Sequence, residues 1–101
     1  MDEPELWRSE QQFVWRHGRS EVTLRRQGES WTVTYTVTGR LLGPRQVLYE
    51  KHHQRATHAA WDVMARVIRA SRNEAEAMRA AQDAARWIRS TSRVDDRDTD
   101  L

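Results

Sequence analysis

All four glycines and both prolines of this 101-residue chain lie at or before Pro44, and all eleven alanines lie at or after Ala56. Gly and Pro interrupt helices, whereas Ala is the strongest helix former. The first half therefore holds the breakers that turns and strands need. After Pro44 nothing breaks a helix, and residues 54–90 carry apolar side chains at helical spacing.

Within the first half, Trp31–Thr38 is the clearest element. Trp31, Val33, Tyr35 and Val37 point one way, and Thr32, Thr34, Thr36 and Thr38 the other. Such alternation suits a sheet with one packed and one wet face. Glu21–Arg26 alternates in the same manner, and Gln27-Gly28-Glu29-Ser30 reads as a hairpin turn between the two. Arg45–Lys51 predicts a third strand, after the loop Gly39-Arg40-Leu41-Leu42-Gly43-Pro44. Residues 4–17 predict a first helix: Pro4 suits the first helical position, early acids and late Arg16 and His17 suit the dipole, and Gly18 supplies an exit. Leu6, Trp7, Phe13 and Val14 give only a partial stripe, so Phe13-Val14-Trp15-Arg16 also reads as a strand.

In the second half, Ala60, Val63, Met64, Val67 and Ile68 share one helical face, and Ala77, Met78, Ala81, Ala84, Ala85 and Ile88 form another stripe. Asn73-Glu74-Ala75-Glu76 between them has the form of a capping box. A strict 4,3 spacing also runs from Ala60 through Met64, Val67, Ser71, Glu74, Met78, Ala81 and Ala85 to Ile88, as one long helix would require. Polar Ser71 and Glu74 in that seam favour two helices. The expected fold is α+β: an N-terminal helix, a three-stranded antiparallel sheet covered by a helix, and a C-terminal helix. These make one domain over residues 1–92, followed by an acidic disordered tail over 93–101.

Seventeen basic residues nearly balance fifteen acids, but they are segregated. Residues 1–11 and 94–101 each carry −3, and the body between them carries +8, from 15 basic and 7 acidic residues. A body of that charge attracts polyanions over a Debye length. No apolar run approaches a membrane span, and the acidic opening MDEPELWRSE is unlike a secretion signal. A cytoplasmic chain that does not engage membranes is expected. The lack of Cys removes disulfides, thiol catalysis and Cys-rich zinc sites.

The one cluster with acid–base or ligand potential is Glu50-Lys51-His52-His53, continuing to His58 and Asp62. His58 and Asp62 are four apart on a helix and could share a metal, but a site needs three or more converging ligands. No phosphate loop, nucleophile elbow or HExxH occurs. A non-enzymatic protein with no metal and no cofactor is expected. Of the five Trp, Trp31 and Trp61 are expected in the core, on the main strand and the covering helix, while Trp7, Trp15 and Trp87 are unplaced.

Two resemblances bear on partners. The stretch Val22-Thr-Leu-Arg-Arg-Gln-Gly-Glu-Ser-Trp31-Thr-Val-Thr-Tyr, the turn up to Arg45 and a helix opening near Gln54-Arg55-Ala56 resemble the arm-type DNA-binding domain of phage integrases. That likeness spans about residues 21–68, without a recombinase domain, and implies DNA docking on the wet sheet face through Arg25, Thr32, Thr34 and Arg45. The expected αβββα order, with His53-Gln54-Arg55-Ala56-Thr57 at a helix start, also resembles the double-stranded-RNA-binding domain. Here His53 and Gln54 stand where that family has lysines, and the short Gly28 turn lacks its groove-reaching loop.

The leading expectation is a nucleic-acid-binding protein, DNA before RNA, acting through Arg25, Thr32, Thr34, Arg40, Arg45 and Arg55. The alternative is a protein-interaction module that binds a partner, or itself as a homodimer, through Leu41, Leu42, Trp87 and Ile88. Leu41 and Leu42 lend themselves either to folding over the sheet edge or to an exposed docking tip.

Overall fold

A computed structural model describes residues 4–8, 11–39 and 43–91. Five strands, β1 (Glu5–Arg8), β2 (Gln12–His17), β3 (Ser20–Gln27), β4 (Ser30–Thr38) and β5 (Arg45–His53), are followed by helices α1 (Ala56–Ser71) and α2 (Glu74–Thr91). Each strand pairs antiparallel with its neighbour in chain order, giving one five-stranded meander. The architecture is α+β.

The three expected strands are present, and Glu5–Arg8 and Gln12–His17 form two more strands where an N-terminal helix is expected. Phe13, Val14 and Trp15 are all buried, a run that no single helical stripe accommodates. In a strand, Phe13 and Trp15 meet Leu24 and Val22 across the β2–β3 ladder on the core face, and Val14 meets Thr23 on the opposite face. Gly18, with φ of +60°, is the first residue of a two-residue hairpin turn to β3, and Gly28 repeats the device before β4. The wet-face residue Thr23 lies opposite Thr34, and the core-face residue Leu24 opposite Val33.

Both helices pack on the core face. Phe13, Trp15, Val22, Leu24, Trp31 and Val33 of the sheet join Ala56, Ala59, Val63 and Val67 of α1 and Ala77, Ala80, Ala84, Trp87 and Ile88 of α2 in one core. The small alanines let each helix lie close to the sheet, so large rings on one layer fill spaces beside methyl groups on the other. Phe13 and Trp87 pack at a tilt, with ring centroids 6.5 Å apart.

The helical half divides in two, as Ser71 and Glu74 favoured. Arg72 takes a left-handed conformation, φ 57°, and its N–H donates to the Ile68 carbonyl at 2.7 Å, closing α1. Asn73 then caps α2, its Oδ1 accepting the Glu76 N–H at 3.1 Å. The far end of α2 is tied to the sheet by Arg26, whose Nη1 donates to the Thr91 carbonyl at 2.6 Å. The expected acidic tail lies outside the described residues.

Candidate functional site

On the wet sheet face, the expected Arg/Thr surface is assembled but partly spent on itself. Arg25 is exposed. Thr32 is buried: its hydroxyl donates to Gln27 Oε1 at 2.8 Å and lies 2.7 Å from His52 Nδ1. Thr34 is half-buried. Arg45 is exposed, yet its Nη1 is 3.2 Å from Glu21 Oε2, while Arg16 holds Glu21 Oε1 at 2.8 Å. One carboxylate thus answers two guanidinium groups, a pairing that the register of β2 through β5 creates. Arg55 is exposed just ahead of α1, in the helical layer, and so does not share the face of Arg25 and Arg45. Arg40 lies outside the described residues, as do Leu41 and Leu42.

Of the expected protein-docking residues, Trp87 and Ile88 are core. Trp87 is 1% exposed and Ile88 fully buried, because the arc of α2 that carries Ala77, Ala80 and Ala84 faces the sheet and includes both. Neither can meet a partner.

The acid–base cluster proves to be a clip between β5 and α1. Asp62, nearly buried, accepts a hydrogen bond from the Tyr49 hydroxyl at 2.8 Å and lies 2.6 Å from His53 Nε2, both at Oδ2. Its Oδ1 lies 3.4 Å from Arg66 Nε, and the Arg66 guanidinium stacks 4.0 Å over the Tyr49 ring. Burial, then the hydrogen bond and negative charge of Asp62, push the Tyr49 phenol above its ordinary pKa. Through Oδ2 this carboxylate ties the edge strand β5 to α1, with the Arg66 guanidinium alongside as an ion pair. His58, four residues before Asp62 on α1, is exposed. Among the described residues no three His, Asp or Glu side chains lie close enough to hold a metal ion.

The helices also form a site that sequence reasoning missed. Trp61, expected in the core, is 64% exposed on α1. The sheet takes up the arc of Ala59, Val63 and Val67, and Trp61 falls on the side away from it. There it borders an open apolar groove of about 300 Å³ between α1 and α2, lined also by Thr57, Ala60, Met64, Ala81, Gln82 and Ala85. Met78 on α2 (56% exposed) and Ile68 on α1 extend the apolar surface of the hairpin. Four of the lining residues, Ala60, Met64, Ala81 and Ala85, and Met78 beside them belong to the 4,3 seam that reads in sequence as one long helix. Folding that seam back at Arg72 places its two halves side by side, and the alanines leave a trough.

Charge surrounds this face. Among the described residues, the helical layer exposes Arg55, Arg69, Arg72, Arg79, Arg86 and Arg89, but only one acid, Glu74. Arg86 pairs with Asp83 at 3.1 Å and Arg79 approaches Glu76 at 4.0 Å. Arg69, Arg72 and Arg89 have no carboxylate partner among the described residues. An apolar trough with exposed cations near it can hold apolar side chains and attract negative charge. Compared with protein-family models, curated proteins and solved structures, the chain matches none.

Proposed function

We propose that this chain is a non-enzymatic protein-interaction module whose docking site is the solvent face of the α1–α2 hairpin. The observation that carries this reading is Trp61, exposed beside an apolar groove large enough to accept a side chain. Exposed Trp anchors are recurrent centres of binding energy, because they bring a large apolar area with few rotors. Met64 and Met78 add adaptable apolar surface on either helix.

Nucleic-acid binding through the sheet is the second reading, supported by exposed Arg25 and by the basic body. It draws less from the geometry, because Glu21 holds Arg16 and Arg45 while Thr32 is occupied by Gln27 and His52.

Amide chemical shifts separate the two. The labelled chain is titrated in turn with amphipathic helical peptides, duplex DNA and single-stranded DNA at low and moderate salt. Docking on the hairpin shifts Ala60, Trp61, Met64, Ala81 and Gln82 with peptide. Shifts at Arg25, Thr34 and Arg45 with DNA, lost as salt rises and without any peptide response in the groove, overturn the docking reading in favour of the sheet.

A further inference from the structure

We infer that the partner segment of the hairpin groove is an acidic amphipathic helix. This rests on the docking reading above and adds the chemistry of what docks.

The groove requires a partner with apolar side chains and a satisfied backbone. Apart from the Trp61 indole N–H, only Thr57 and Gln82 bring polar side-chain groups to the lining, so an extended segment would set most of its backbone N–H and C=O groups against methyls, a ring and a thioether. A helix satisfies those groups internally and presents only side chains. Trp61 and Ile68 on α1, and Met78 and Ala85 on α2, are each seven residues apart, or about 10 Å along the helix. A partner helix laid along the trough would present residues at i, i+3 or i+4, and i+7 over that length.

Sign follows from the rim. Arg72, Arg86 and Arg89 each stand four residues beyond a residue of this face: Ile68, Gln82 and Ala85. For Arg86 and Arg89, both on α2, that spacing places them one turn along the same side, while Arg72 closes α1 just beyond Ile68. Arg79 stands three residues before Gln82, which makes four exposed cations along this surface, Arg79 and Arg86 also pairing with Glu76 and Asp83, against Glu74 alone among the exposed acids of the described helical residues. A second copy of this chain, docked face to face, would oppose these cations to their own kind. A helix with Glu or Asp flanking its apolar stripe meets them with opposite charge.

Three fluorescein-labelled 16-residue peptides test this by anisotropy: a Leu stripe flanked by Glu, the same stripe flanked by Lys, and the Glu peptide with Ser replacing Leu. The Glu/Leu peptide is expected to bind about tenfold more tightly than the Lys/Leu peptide at 50 mM salt, with the gap closing at 500 mM. Arg72→Glu with Arg89→Glu should narrow that gap, and Trp61→Ala should weaken the Glu/Leu peptide. Equal or tighter binding of the Lys/Leu peptide overturns the acidic partner; the docking reading then survives if binding still depends on Trp61. Equal binding of the Glu/Ser peptide shows attraction by charge alone and overturns the helix. If Trp61→Ala leaves every peptide unaffected, or none binds, the docking reading itself falls. Tighter, Trp61-dependent binding of single-stranded DNA in the same assay would assign the face to nucleic acid.

Discussion

The indole N–H of Trp15, fully buried on β2, donates to Glu76 Oε2 in the first turn of α2 at 2.9 Å, across 61 residues of sequence. Asn73 caps the same turn, so Glu76 uses its backbone N–H for the cap and its carboxylate for the sheet. The negative charge also sits at the helix end that favours it.

Removing this carboxylate leaves a buried donor without a partner. Glu76→Ala is expected to cost about 1–3 kcal/mol, chiefly from the orphaned indole. Glu76→Gln keeps an acceptor and should cost under about 1 kcal/mol. Urea unfolding of both variants checks the difference, and equal losses would refute a hydrogen-bonding role.

The Asp62 clip predicts a pH effect. Burial and Asp62 raise the Tyr49 pKa, so the folded chain favours the neutral phenol more than the unfolded chain does. Its contribution is therefore complete below the ordinary tyrosine range and lost as pH climbs through the raised value. Between neutral pH and about pH 11, Tyr49→Phe should lose less stability than the parent chain. Parallel urea midpoints across that interval measure it. Asp62→Ala, which strands His53 and Arg66, should be more damaging at neutral pH, by about 3–5 kcal/mol.

Arg72 adopts a left-handed backbone that a side chain disfavours. Arg72→Gly relieves that strain but gives the unfolded chain more freedom, and the balance should stabilise by about 0.5–1 kcal/mol. Thermal unfolding of the variant should shift upward; a downward shift would mean the arginine side chain outweighs the strain.

Much of this architecture is legible in the sequence, and the rest is hidden for identifiable reasons. β3, β4 and β5 announce themselves by period-two alternation, and Asn73 by its capping pattern. β2 does not, because Phe13-Val14-Trp15 is buried on both faces and so loses its alternation. The engagement of Arg45 by Glu21 is invisible without the register that brings β2, β3 and β5 into one wet face. Helical periodicity groups Ala60, Met64 and Val67, but cannot say which apolar arc meets the sheet and which is left to the groove.

That ambiguity decides the fate of the two helix tryptophans, and stability measurements can separate them. Trp87 is 1% exposed against Phe13, whereas Trp61 is 64% exposed over the groove. Trp87→Ala should open a cavity and cost about 3–5 kcal/mol, a large fraction of the stability of a small domain. Trp61→Ala removes mostly solvated surface and should cost under about 1 kcal/mol. A residue whose loss leaves the fold intact but abolishes peptide binding has its role at an interface. Urea midpoints of the two variants, read with their peptide affinities, therefore test both placements. A loss of several kcal/mol for Trp61→Ala would put that ring in the core and remove the anchor of the groove.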